Sequence, residues 1–128
     1  MLLFRITLAL LLLLVLSACG GGGFTPQPGP YSGEFLVSDQ AIGTFTLTVS
    51  GNMLGGTGML THNAQPVTVT ITALINGTTV TGTVSNASLG SGAFTGQFAS
   101  QQGLTGDFTY TDAGEISTTT GTWRATLD

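Results

Sequence analysis

Beyond Pro30 the chain alternates apolar and polar residues with a period of two, the mark of strands that bury one face. Phe45, Leu47 and Val49 stand opposite Thr44, Thr46 and Thr48; Val67, Val69, Ile71, Ala73 and Ile75 stand opposite Thr68, Thr70 and Thr72. The pattern predicts strands over Tyr31 to Ser38, Ile42 to Ser50, Met53 to Thr61, Pro66 to Ile75 and Thr78 to Ser85. Two more follow in Phe94 to Tyr110, joined at Ser100 to Gly103, and a last one covers Ile116 to Leu127. Met53 to Thr61 is ambiguous, because Gly55, Gly56 and Gly58 let either face be buried. Ser50-Gly51-Asn52 and Asp112-Ala113-Gly114 are turn signals, and Asn76-Gly77 predicts a tight hairpin in which both residues take positive φ.

No segment outside the leader carries a helical period, so the domain is all-β. Short sequential connections favour an antiparallel meander, and eight strands of this length suit a single small up-and-down barrel, whose closure removes free edges. One detail recurs. Gly33, Gly82, Gly96, Gly106 and Gly121 each sit at the centre of an apolar-x-Gly-x-apolar unit, with Thr119 in place of the first apolar residue in the last. Phe94-Thr95-Gly96-Gln97-Phe98 and Leu104-Thr105-Gly106-Asp107-Phe108 are near copies. A strand-interior glycine ordinarily weakens a sheet. Repeated on the buried face, it leaves room for aromatics such as Phe45, Phe94, Phe98, Phe108, Tyr110 and Trp123. The prediction is a narrow barrel filled by its own side chains.

The first residues belong to a different class of sequence. Arg5 precedes an aliphatic run from Ile6 to Leu16, too short to span a bilayer comfortably, and Leu16-Ser17-Ala18-Cys19 follows. Aliphatic, small, small, cysteine resembles the lipobox of bacterial lipoproteins. That resemblance implies removal of 1–18 and lipidation of Cys19, the one cysteine of the chain, with acyl groups such as palmitate. A lone cysteine also leaves no internal disulfide. Residues 19–30, with Gly20 to Gly23 and then Pro26, Pro28 and Pro30, read as a flexible and then extended tether. The barrel domain is then 31–128.

Charge narrows the chemistry further. Once Arg5 leaves with the leader, Arg124 is the one cation against Glu34, Asp39, Asp107, Asp112, Glu115 and Asp128, and the chain has no lysine. Nothing is available to neutralise phosphates, so no nucleic-acid partner is expected. His62, the one histidine, stands beside Asn63 in a loop-like stretch and reads as an exposed loop residue, leaving no metal site and no catalytic triad. Glu34 and Asp107 fall on polar strand faces, where solvation accounts for them. No cofactor is implied and the chain reads as non-enzymatic. Arg124 and its neighbour Trp123 are the candidate binding residues, Arg124 pairing with Asp107 or stacking on an aromatic.

The order Phe45-Thr46-Leu47-Thr48-Val49, Gly55 and Gly56, Val69 to Ile75, Gly77, Val80-Thr81-Gly82-Thr83-Val84, Gly92 to Phe98, Leu104 to Phe108 and Gly121-Thr122-Trp123-Arg124 resembles the barrel of transferrin-binding protein B-like lipoproteins, to which the barrel of factor H-binding protein is related. The run of glycines after the lipobox cysteine fits that family as well. The resemblance covers most of Tyr31 to Leu127 and implies a filled eight-stranded barrel on an outer-membrane lipoprotein that binds another protein. It does not imply transferrin binding, since the chain lacks the second, handle-like domain of the large members. Three other readings stand beside it: an avidin- or lipocalin-like carrier of a small apolar ligand, a passive structural envelope lipoprotein, and a transmembrane barrel. The last would need an outward aromatic girdle. The resemblance places the domain on the outer membrane, at its surface or its periplasmic face.

Overall fold

The computed structural model describes residues 25–87, 90–114 and 117–128; the leader, Cys19 and the glycine run lie outside the described residues. Eight strands follow in chain order: β1 (Gly29–Val37), β2 (Gln40–Ser50), β3 (Met53–His62), β4 (Gln65–Asn76), β5 (Thr79–Ser85), β6 (Ser91–Ser100), β7 (Gly103–Thr111) and β8 (Thr118–Leu127). Each pairs antiparallel with the next, and β8 returns to β1 to close the barrel. The expected up-and-down meander is therefore the fold. Tyr31, Phe35, Phe45, Leu47, Val49, Val69, Ile71 and Ala73 are buried, while the Thr residues between them face outward. The alternation forces this result, since a slip of one residue in any strand would turn its hydroxyls inward.

The register fixes how wide the barrel is. Residues opposite one another in register lead from Thr126 through Ser32, Thr46, Thr57, Thr70, Ser85, Ser91 and Thr111 back to β8 at Thr118. One circuit thus returns eight residues away from its start, from Thr126 to Thr118. Eight strands with that stagger make a narrow barrel, tilted about 36°, of the kind whose interior holds layers of side chains and no pore. The same circuit is a continuous row of hydroxyls on the outer face.

Aromatic rings fill the middle of the barrel. Trp123 stacks on Phe94 with centroids 4.1 Å apart and planes 16° from parallel. Phe35 packs against Phe45 and Phe108, each at 4.8 Å, and Phe45 meets Trp123 edge-on at 6.1 Å. The glycines make these contacts possible. A Cβ at Gly33 would lie 2.5 Å from Phe45 Cζ, one at Gly96 2.6 Å from Trp123 Cζ2, and one at Gly106 2.6 Å from Trp123 Nε1. Gly121 faces Phe108 at 3.0 Å in the same way. Gly82 differs: its missing Cβ makes room for the backbone and methyl of Ala73, so there glycine admits a neighbouring strand and not a ring. Each large apolar side chain buried here contributes about 1.5–3 kcal/mol relative to exposure.

Four details depart from the sequence reading. Strand β1 begins at Gly29, inside the stretch assigned to the tether, because Gly29 and Pro30 pair with Val49 and Thr48. The β4–β5 hairpin turns on Gly77 and Thr78, with Asn76 paired to Thr79; Gly77 alone of these has positive φ, at 64°. Strand β8 starts at Thr118, and Ile116 lies outside the described residues. The largest departure is His62, which closes β3 as an inward residue and is 2% exposed.

Candidate functional site

Trp123 and Arg124 are neighbours in sequence and opposites in space. On β8 they alternate, so Trp123 enters the core at 1% exposure while Arg124 stands outside. The Trp123 indole N–H donates to the carbonyls of Thr95 at 3.0 Å and Asp107 at 3.1 Å, which ties β8 to the two glycine-bearing strands beneath it. The pair therefore does not form one site. Arg124 donates to Glu34 Oε1 through Nε at 2.8 Å and Nη2 at 2.5 Å. Register explains the choice of partner: Glu34 and Thr105 flank Arg124 across the sheet, whereas Asp107 is opposite Thr122. The expected Asp107 pair is corrected to Glu34. With the Arg124 side chain 64% exposed, solvent screening holds such a pair to about 0–1 kcal/mol.

On the outside of β5 to β8 lies an open depression of about 690 Å³. Its floor is the backbone at Gly96 and Gly106; Thr79, Gln97, Thr105 and Arg124 form one wall, Thr81, Thr95, Asp107 and Thr122 the other. The trough is the space between two rows of outward side chains and does not enter the barrel. The described aromatics, from Tyr31 to Trp123, are all buried, so the outward face is hydroxyl-rich and carries no aromatic girdle among the described residues. Its large exposed apolar residues are Met53, Met59 and Leu74, with Met53 and Leu74 side by side in register.

The two barrel ends differ. At the near end, where the tether enters, Gln27 N–H donates to the Gln101 carbonyl at 3.0 Å and Gln102 Nε2 to Gln27 Oε1 at 3.1 Å. Tyr31 O–H donates to the carbonyls of Gln27 and Gln101, at 2.6 and 3.1 Å. Its ring is buried, its hydroxyl lies just under the rim, and burial raises its pKa above the ordinary 10.0. The segment read as a free tether is therefore strapped to the β6–β7 turn from Gln27 onward.

The far end holds a buried polar cluster that the sequence reading missed. His62 Nδ1 lies 2.6 Å from Thr119 Oγ1, so β3 and β8 are joined across the mouth without being sheet neighbours. His62 Nε2 lies 3.4 Å from Asn63 Nδ2 and 3.9 Å from Asp112 Oδ2. The imidazole packs edge-on to Tyr110 at 5.1 Å, and Tyr110 O–H donates to Asp112 Oδ1. Asn63 in turn exchanges hydrogen bonds with the Ser117 hydroxyl at 2.9 and 3.2 Å. Gly90, from the β5–β6 loop, presses on the pair so closely that a Cβ there would lie 2.1 Å from the Tyr110 hydroxyl. A signal was present in the sequence. Leu54, Gly56, Gly58, Leu60 and His62 share one parity, and carrying the period one step past Thr61 turns His62 inward.

Chemically the cluster is a set of polar groups that satisfy one another and join the ends of β3 and β8. Among the described residues, no three His, Cys, Asp or Glu side chains converge as a metal site. Comparisons with protein families, with curated proteins and with solved structures find no match to this chain.

Proposed function

We infer that this chain is a non-enzymatic lipoprotein of the outer membrane, anchored through lipid at Cys19, whose barrel presents its outer face and loops to a protein partner. The observation that carries the reading is the packed interior. A carrier of the avidin or lipocalin kind needs a cavity of several hundred Å³ lined by aromatics and a few convergent polar groups. Here Phe35, Phe45, Phe94, Phe108 and Trp123 occupy that volume in mutual contact. Recognition is thereby left to the outside, where Met53 and Leu74 form an apolar spot amid hydroxyls. The near end is where the tether leads back toward Cys19, which supports loops at the far end as the part held away from the membrane.

The test uses the full chain in a bacterial host. Wild type is expected in the outer-membrane fraction with incorporated palmitate, and Cys19→Ser is expected unlabelled and released from the membrane. A photo-crosslinking residue at Leu74, and separately at Ala87 in the far-end β5–β6 loop, is expected to trap a discrete protein. Membrane retention of Cys19→Ser would overturn the anchor, and an absence of adducts at both positions would favour a passive envelope role.

A further inference from the structure

We propose that the near end of the barrel is a membrane-facing surface, and that the strap at Gln27 holds the domain with this end toward the lipid that anchors it. The proposal rests on the reading of Cys19 as a lipid anchor and deepens it, since an anchor alone leaves a domain free to tumble. Orientation comes from where the chain is first held. Gln27 N–H donates to the Gln101 carbonyl at 3.0 Å, and Gln102 Nε2 donates to Gln27 Oε1 at 3.1 Å. The Tyr31 hydroxyl lies 2.6 Å from the Gln27 carbonyl oxygen and 3.1 Å from that of Gln101, which completes the clamp from the barrel side. Gly29 is its elbow. A φ of 135° is a region that side chains rarely adopt, and the bend lets the chain leave β1 and pass the end of β8 to reach the β6–β7 turn.

Chain length makes the strap decisive. A chain spans at most about 3.6 Å per residue, so the eight steps from Cys19 to Gln27 reach no more than about 29 Å, whatever their course. Ten-residue strands tilted about 36° make the barrel about 27 Å tall. To set the far end on the bilayer, the chain would have to run the whole height of the barrel at full extension. Without the clamp it would first be held at Gly29, where β1 begins, ten steps and about 36 Å from Cys19. That slack would open the inverted arrangement, and the bonds at Gln27 take it away.

Charge favours the same direction. The near-end rim consists of the strap, the turns at 51–52, 77–78 and 101–102, and the end of β8, and among the described residues Asp128 is the one charged side chain there. The other described carboxylates stand farther from it: Glu34, paired with Arg124, and Asp107 on the barrel wall, Asp39 and Asp112 at the far end. Close to anionic lipid each exposed carboxylate is repelled, over a screening length of about 8–10 Å. The end with the fewest therefore approaches most easily. Its amides and hydroxyls also suit that depth, because they donate to the phosphate and ester oxygens of lipid heads without bringing a charge of their own.

The test uses the full chain purified from the host membrane and returned to vesicles of phosphatidylcholine and phosphatidylglycerol. Cys19 is the one native cysteine, so with its sulfur blocked by lipid, Asn52→Cys at the near end or Ala87→Cys at the far end supplies a single thiol for a dye. Lipids with a nitroxide on the headgroup then quench the dye at short range. Expected is several-fold stronger quenching at position 52 than at 87, and a smaller difference in phosphatidylcholine alone. Gln27→Pro with Tyr31→Phe removes the N–H and the hydroxyl of the clamp, and is expected to shrink the difference while buried Trp123 keeps its blue-shifted emission. Lengthening the tether by about ten Gly and Ser residues after Gly23 leaves the clamp intact and should shrink it too. Equal quenching at both ends, stronger quenching at 87, or an undiminished difference in the lengthened chain would each overturn the orientation. The mass of the purified chain reads the anchor separately: a product without lipid at Cys19 overturns the anchor, whereas equal quenching of a lipidated product overturns the orientation alone.

Discussion

The smallest unit that decides this structure is a missing methyl group. Gly106 faces Thr95 O and Trp123 Nε1, and a Cβ there would lie 2.0 and 2.6 Å from them; Gly55 faces outward, with its nearest atom at 3.6 Å. Gly106→Ala is therefore expected to lower stability by about 1–3 kcal/mol through overpacking. Gly55→Ala should change it by no more than about 1 kcal/mol, in the stabilising direction, by restricting the unfolded chain. Urea unfolding of the two variants checks this, and equal losses at both sites would contradict the role given to the inward glycines. Tyr31 supports a second expectation. Because burial raises its pKa, the folded chain holds a proton above about pH 10 that the unfolded chain has released. The stability it contributes is complete below that pH and is lost as pH rises past it. Melting curves at about pH 9 and 11 should converge more closely in Tyr31→Phe than in wild type; identical alkaline losses would place the cause elsewhere.

At the scale of strands and turns, both far-end two-residue turns use left-handed backbone: Ser38 and Asp39 at 51° and 64°, Asn63 and Ala64 at 52° and 64°. Paired positive φ matches the right-handed twist of the flanking strands. Asn and Asp tolerate that region, whereas alanine is strained in it by about 1–2 kcal/mol. Ala64→Gly relieves the strain at some cost in chain entropy, and a net gain of about 0.5–1 kcal/mol is expected, read as a higher melting temperature. A lower melting temperature would show that Ala64 makes a packing contact worth more than its strain. Strand β3 also shows how parity outlasts composition. Its glycines hide which face is buried, yet Leu54, Leu60 and His62 fall on one side, and pairing with β2 and β4 selects that side.

For the molecule as a whole, the stagger of eight residues and the filled interior are one fact seen twice. A wider stagger would enlarge the barrel beyond what these aromatics fill. Trp123 is the one tryptophan of the chain and is 1% exposed, so its fluorescence reports on the interior directly. Blue-shifted emission with little acrylamide quenching is expected in the folded protein, and full quenching only after unfolding. Ready quenching in the native state would mean a solvent-filled barrel and would return the carrier reading to first place. The outer face, by contrast, is built from Thr and Ser rows and one screened ion pair, Arg124 with Glu34, which suits a domain solvated by hydroxyls more than by charge.

How much of this was legible in the sequence follows from which interactions are local. Period-two alternation, turn residues and the apolar-x-Gly-x-apolar units are properties of neighbouring residues, and they sufficed for eight strands, the inward faces of all but β3 and a barrel packed with aromatics. Opposite faces for Trp123 and Arg124 follow from the same parity. Cross-strand partners are not local. That Arg124 meets Glu34 and not Asp107 depends on the β1–β8 register, which closure alone sets. The meeting of His62, Asp112 and Thr119 likewise depends on three strand ends far apart in the chain converging at one mouth. The sequence by itself determined the strands and most of the apolar side chains they bury; tertiary closure decided the inward face of β3 and which polar groups meet, because barrel register is a sum over all eight pairings and no segment contains it.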